Sequence, residues 1–419
     1  MTSGKDHWPF RFYSILPILN VLGSYSTSAL IADCRASVNV ALLAVPQGMA
    51  YALVSGLPIK YGLLGSAVSA ITGSIFSKSK FITLGPTNAT AVLLFGVFAS
   101  IGMINQEGMA EPNSLLILPW ILVLSGIFLL LASFLKISFM IQFVSRTVIT
   151  AYVTAAACLI VANQAKHVFG LELHSEGALA TFWQIAFATI LALGDISGPA
   201  LFISFLTAVI FCILEFKFKA LPNVAITLVL SALINFIWAD SIGFVHTLDS
   251  FDSSAAIGAT FNFDTLSDNS GPIISASIAI SLLCLLEGLS IGKSLAARAG
   301  QRIETNQETL AIGMGNIGCS IFSGMPSSGS LTRSTLNIQS GAMTGASNLW
   351  TGLFLVFGYL LLGSLVAYIP VPALATLVVF IGASLIKARQ IQAVSRATRS
   401  DAITFTVTLL VGLIFSLQM

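Results

Sequence analysis

Two stretches of this chain interrupt long apolar runs with Gly and Pro and then start a new helix on small and hydroxyl residues. They are Thr83-Leu-Gly-Pro-Thr-Asn-Ala-Thr90 and Gly324-Met-Pro-Ser-Ser-Gly-Ser-Leu-Thr-Arg-Ser334. The surrounding sequence makes these breaks informative. Of 419 residues, 56% are hydrophobic and only 9% charged, where a soluble protein carries roughly 25% charged residues. The solvent is therefore a bilayer, in which irregular backbone survives only when it is buried in protein or lines a cavity. A helix that starts inside a membrane leaves its first N–H groups without intrahelical partners and carries a partial positive end, and both favour an anion. Arg333, one turn into the second restart, adds a full charge. Paired broken helices in the two halves of a membrane protein point to a transporter's substrate site, so the pattern predicts a carrier of small anions.

Apolar runs long enough to cross or half cross the bilayer lie at about 36 to 54, 61 to 77, 86 to 104, 115 to 135, 139 to 165, 199 to 216, 222 to 239, 272 to 292, 308 to 323, 330 to 340, 346 to 368, 371 to 386 and 402 to 417. The thirteen elements predict an all-α, multi-pass protein. With the N-terminus inside, the inner loops hold Lys78, Lys80, Lys136, Lys217, Lys219, Lys293, Arg298, Arg302, Lys387, Arg389, Arg396 and Arg399. The outer ones hold Glu107, Glu111, Glu172, Glu176, Asp195 and the five aspartates of 240 to 271. Lys60 and Lys166 are exceptions to this positive-inside alternation. Residues 1–35 read as a cytoplasmic segment with an amphipathic stretch near Phe12 to Gly23, and 242–271 as an external connection between two halves, 36–241 and 272–419. Ser74-Ile-Phe-Ser77 recurs as Ser320-Ile-Phe-Ser323, each copy preceding a restart by about ten residues. An odd number of spans per copy turns the second upside down.

Several residues carry candidate chemistry. Glu287 is the one charge in Ile273 to Ile291, and an intramembrane carboxylate is by default a functional group facing a cavity; the alternative is a packing acid bonded to nearby backbone. Arg333 attracts an anion, or pairs with Glu287. Gln47, beside Pro46 and Gly48 where the helix is expected to break or kink, makes a substrate contact or an interhelical hydrogen bond. Tyr51, one turn on, faces the same side and lines a pocket or joins an aromatic belt. Thr87, Asn88, Thr90, Ser327, Ser328, Ser330, Thr332 and Ser334 offer uncharged donors. The four histidines and five cysteines lack ligand spacing, so neither a metal nor a cofactor is expected. Pro326-Ser-Ser-Gly has no histidine placed to activate a serine, which argues against a hydrolase or any enzyme. The few Lys and Arg line no common face, so nucleic acid is not expected as a partner.

These residues resemble the SulP sulfate permease family. The matching segments are Asp33, Val45-Pro-Gln-Gly-Met-Ala-Tyr-Ala52, Gly56-Leu-Pro-Ile-Lys-Tyr-Gly-Leu63, Leu84-Gly-Pro-Thr-Asn-Ala89, Glu287-Gly-Leu-Ser-Ile, Asn306-Gln-Glu308, Gly313-Met-Gly-Asn-Ile317, Phe322-Ser-Gly-Met-Pro-Ser-Ser-Gly-Ser-Leu-Thr-Arg-Ser334 and Tyr368-Ile-Pro-Val-Pro-Ala-Leu374, in family order. The resemblance implies fourteen transmembrane elements in two inverted sets of seven, divided into a core and a gate. It places the anion between two half helices, on Gln47, Tyr51, Pro86, Thr87, Asn88, Ser330, Leu331, Thr332 and Arg333, with Glu287 handling a coupling H⁺ or Na⁺. It further implies an elevator-type movement, symport or exchange of sulfate, bicarbonate or chloride, a homodimer, and residence in the plasma (inner) membrane. Measured against the family pattern, the chain stops after the thirteenth element, before the last gate helix and a STAS-type domain. The alternatives are a nucleobase carrier of the related inverted-repeat fold and a truncated membrane subunit that does not transport.

Overall fold

The computed structural model describes residues 16–104, 109–136, 146–171, 181–218, 223–238, 243, 245–248, 250–251, 258–298, 300 and 303–414. The outer-loop acids Glu107, Glu172, Glu176, Asp240, Asp249 and Asp252, the inner-loop Lys219 and Arg302, and most of the expected N-terminal amphipathic stretch lie outside the described residues. In chain order the elements are α1 (Ile18–Gly23), α2 (Thr27–Val54), α3 (Ile59–Phe76), β1 (Leu84–Gly85), α4 (Asn88–Ser100), α5 (Pro112–Phe134), α6 (Arg146–Phe169), α7 (Phe182–Leu191), α8 (Gly198–Lys217) and α9 (Asn223–Ile237). Then follow α10 (Phe263–Asp268), α11 (Ser270–Arg298), α12 (Thr305–Ile321), β2 (Ser328–Gly329), α13 (Leu331–Gln339), α14 (Ala346–Leu365), α15 (Val371–Leu385), α16 (Ala388–Ala397) and α17 (Arg399–Ile414).

A helix lies in each of the thirteen apolar runs, because only internal hydrogen bonding satisfies a backbone surrounded by lipid. Among the described residues, six helices are long and apolar enough to cross a membrane. Two differences from the sequence expectation are instructive. Helix α2 starts at Thr27, on a Ser26 cap whose Oγ accepts from Ala29 N at 3.2 Å, and it runs unbroken through Pro46. It therefore takes in Asp33 and Arg35. Asp33 is fully buried because the loop after α13 supplies donors, Met343 N at 2.7 Å and Thr344 N at 3.0 Å, and Tyr25 adds its hydroxyl at 3.0 Å. The second difference is α7 and α16, ten-residue helices inside stretches that read as loops. Ten residues span about 15 Å, half of a bilayer core, so a search for spans passes over them.

The packing relates two halves. Helix α3 packs on α14 and α12 on α5; α2 packs on α14 and α11 on α5; α2 meets α13 and α11 meets α4; α6 meets α17 and α15 meets α8. Each pair becomes the other when α2 to α8 are exchanged in order for α11 to α17, α3 with α12 and α6 with α15 mapping onto themselves. Small residues make the related contacts close. A methyl group on Gly126 of α5 would come 2.8 Å from the Gly313 carbonyl of α12, and one on Gly352 of α14 would come 2.8 Å from the Ala67 carbonyl of α3. Helices α2 to α5 and α11 to α14 thus form one bundle, and α6 to α9 with α15 to α17 lie against it.

Glu308, on the first turn of α12, fastens the loop after α3. It accepts from Ser77 Oγ at 2.6 Å, Lys78 N at 3.0 Å and Ser79 N at 2.9 Å. Beside it, Lys78 and Glu304 form a surface ion pair at 2.6 Å, a geometry worth at most about 1 kcal/mol. These bonds hold in place the backbone that leads into β1.

Candidate functional site

The two restarts meet at the centre of the bundle. Residues Leu84–Gly85 and Ser328–Gly329 pair as antiparallel strands, Leu84 opposite Gly329 and Gly85 opposite Ser328. Extended residues inside a bundle need partners for their peptide groups, and each restart supplies those of the other. Ser330 N donates to Thr83 O at 3.0 Å, and Thr83 N donates to Ser334 Oγ at 2.9 Å. Buried amides complete the frame. Asn316 of α12 donates to Ser327 O at 2.9 Å and accepts from Ser327 N at 3.1 Å. Asn348 of α14 donates to Ile82 O at 2.9 Å and accepts from Thr83 Oγ1 at 2.6 Å. Helices α4 and α13 then leave the strand pair, each with its N-terminus at the crossing.

Their caps follow the chemistry of the sequence. Thr87 Oγ1 accepts from Thr90 N at 3.3 Å while Thr90 Oγ1 accepts from Thr87 N at 3.0 Å, a reciprocal capping box. Ser330 Oγ accepts from Arg333 N at 3.5 Å. The Thr87 hydroxyl also donates to Glu287 Oε2 at 2.8 Å, while the Ser328 hydroxyl donates to Cys284 O, on the same helix as Glu287, at 2.9 Å. Glu287 on α11 is thereby fixed against the start of α4.

Arg333 is 1% exposed. Its Nε donates to Gln47 Oε1 at 3.3 Å, and Gln47 Nε2 donates to Thr332 Oγ1 at 3.5 Å. The two Nη nitrogens are buried without a hydrogen-bond partner. Among the described residues Lys78–Glu304 is the one ion pair, so the alternative in which Glu287 neutralises Arg333 is not realised. Gln47, by contrast, uses both ends of its amide on the second restart, combining the interhelical bond with a place at the site. Tyr51, 5% exposed, is within electrostatic reach of both Arg333 and Glu287. Pro86 packs over Gly65 of α3, and the Asn88 Oδ1 is buried without a partner. Leu331 is half-buried and Thr332 exposed.

The ten residues that the family resemblance implies, Glu287 included, lie at the strand crossing or on the turns beside it. Missed was Gly85. A β-carbon there would overlap Nη1 of Arg333 and come 3.0 Å from its Cζ, so the glycine makes room for the guanidinium. Asn348 was missed as well; sixteen positions beyond Thr332 on another helix, it has no local pattern that announces it.

Two short helices thus start on paired strands inside a bundle of apolar helices, with the buried Arg333 on one of them and Gly85 of the opposite strand against its guanidinium. The chain matches the sulfate permease family over residues 30–408, and it belongs to that family, a family of transporters rather than enzymes. It is a multi-pass integral membrane protein. It is 28% identical over 389 residues to the chloroplastic sulfate transporter 4.1 of Arabidopsis thaliana, covering 92% of this chain and 56% of the relative. It is likewise 28% identical over 432 residues to a sodium-independent sulfate anion transporter of Bos taurus, covering 94% and 68%. The transmembrane domain of a cyanobacterium bicarbonate transporter, BicA, superposes with a TM-score of 0.81 at 19% identity, covering 94% of this chain and 97% of that one. The murine Slc26a9 anion transporter in its inward-facing state superposes with 0.84 at 18% identity, covering 100% and 71%. The chain thus spans little more than half the length of its plant relatives.

Proposed function

We propose that this chain is a secondary active carrier of small anions, with sulfate as the first substrate and bicarbonate and chloride as the others to test. The observation that carries the reading is Arg333, whose two buried Nη nitrogens bond to no protein group while Gln47 holds its Nε. A guanidinium presented in this way offers two parallel donors, the geometry that suits an oxyanion. Two relatives named as sulfate transporters and neighbours named as bicarbonate and anion transporters support the same substrate class. A nucleobase needs carboxylate or amide groups aimed at a ring, and the Gln47 amide is engaged with Arg333 and Thr332.

Glu287 is the group we assign to coupling with H⁺, or with Na⁺, by symport or exchange, since it touches Thr87 at the start of α4. The repeats are assigned to 36–241 and 272–419, joined by 242–271. The core, α2 to α5 with α11 to α14, moves as a rigid elevator against the other helices. The carboxylate ties at Asp33 and Glu308 favour that rigidity. We place the carrier in a plasma (inner) membrane as a homodimer with a cytoplasmic N-terminus.

Uptake of labelled sulfate, bicarbonate and chloride into liposomes holding the purified chain, with and without a pH gradient, tests the reading. Saturable uptake that Arg333→Ala removes is expected. Uptake of the same rate and affinity in that variant, from protein shown to be folded, would sink the assignment.

A further inference from the structure

The strongest feature outside the site lies where α15 ends and α16 begins. Residues 387 to 399 hold Lys387, Arg389, Arg396 and Arg399 and no acid. Arg389 and Arg396 are exposed and seven residues apart, so they share one face of α16, while Ile391 and Val394 on the opposite face are half-buried. Among the described residues no acid forms an ion pair with this face. The Asp401 carboxylate accepts instead from Thr147 Oγ1 at 2.9 Å and Thr398 Oγ1 at 2.8 Å. A short basic amphipathic helix in a membrane protein lies in the headgroup layer.

Directly before Lys387, Ile386 lines a cavity of about 480 Å³ between α6, α7 and the end of α15. Ala162, Phe182, Ile190 and Ala383 are among its walls. The size falls within the roughly 300–1,000 Å³ typical of ligand pockets. Its polar lining is minimal: the Thr189 hydroxyl is turned to its own helix, donating to Ile185 O at 2.8 Å. An apolar slot that passes into a basic helix within one residue matches the two ends of one kind of molecule.

We propose that this face holds one anionic diacyl phospholipid, an acyl chain in the cavity and the phosphate against the cations of α16. Charge complementarity selects the headgroup, and the dry walls select the chain. The occupied slot would link α6 of one half to α15 of the other on the outside of the helices that flank the transport core.

Native mass spectrometry of the full chain, released from bilayers of equal phosphatidylglycerol and phosphatidylcholine, tests this. A cation at the membrane surface favours anionic lipid by about five-fold. The wild type should therefore retain phosphatidylglycerol, and Arg389→Gln with Arg396→Gln should lower that preference by about thirty-fold. The pair Arg389→Lys with Arg396→Lys should restore it, which separates charge from fold. Ala162→Phe, which fills the cavity, should release both lipids. Equal retention of the two lipids by the wild type would overturn the proposal. So would a preference unchanged in the glutamine pair, or glycerol phosphate bound as tightly as the whole lipid.

Discussion

The two half helices that start at the strand crossing occupy equivalent places in the two halves and yet differ in almost every physical respect. Helix α4 is thirteen residues long, apolar, and buried on all sides from Asn88 to Phe98. Helix α13 is nine residues long and polar, burying Arg333, Ser334 and Asn337 while Thr332 is exposed. Each has a hydroxyl cap, but Thr87 also donates a hydrogen bond to Glu287, whereas Ser330 caps the residue that carries the positive charge. One end is an apolar wall with a carboxylate behind it, and the other is a polar wall that carries a buried charge. A two-fold frame thus builds an asymmetric pair of helix starts, with the buried arginine on α13 and the Glu287 carboxylate held at the cap of α4.

The largest expected effect breaks the charged wall. Arg333→Ala removes a charge-assisted bond of about 1.5–3 kcal/mol, so sulfate affinity should fall by about ten- to hundred-fold. Arg333→Lys should recover only part of it, because a single ammonium does not reproduce two parallel donors. Titration calorimetry on both variants reads the difference.

Next in size are the two strand glycines. Gly85→Ala drives its methyl into the Arg333 guanidinium and should raise the KM for sulfate by about ten-fold, roughly the worth of one such bond, in a protein of near wild-type stability. Gly329→Ala meets backbone instead, 3.1 Å from the Gly288 Cα. It should lower thermal stability and leave the KM unchanged in the folded fraction. Equal effects of both on KM would erase the distinction between the two walls.

Glu287→Gln keeps an acceptor for the Thr87 hydroxyl and removes only the titrating charge. Uptake should lose its dependence on a pH gradient while affinity changes by less than about three-fold, within the worth of one neutral hydrogen bond. The smallest effect on uptake belongs to Thr87→Ala, which removes a helix cap worth about 1 kcal/mol together with the hydrogen bond to Glu287 and should show as a drop in unfolding temperature. If it abolished uptake outright, α4 would be doing more than holding a wall.

Much of this was legible in the residues. Gly and Pro before hydroxyl caps marked both restarts, because a break inside an apolar run is costly enough to need a purpose. Glu287 and Arg333 were legible for the same reason, as charges in places where lipid tolerates none. What stayed hidden depends on contacts between distant positions. Gly85 reads as a turn residue until Arg333 is found against it. Asn348 reads as an ordinary polar residue at a helix start until Ile82 and Thr83 are found on its amide. The start of α2 was misplaced because Asp33 looks unfit for a buried helix, and only the donors of Met343 and Thr344, 310 and 311 residues away, compensate it. Helices α7 and α16 were too short for a rule built on spanning length.

Equilibrium binding of labelled sulfate to the purified chain, wild type beside Arg333→Ala, tests the central claim most directly. Saturable binding in the wild type that weakens by at least about ten-fold in a folded variant is the predicted result. Binding of unchanged affinity would show that the anion does not sit at the start of α13.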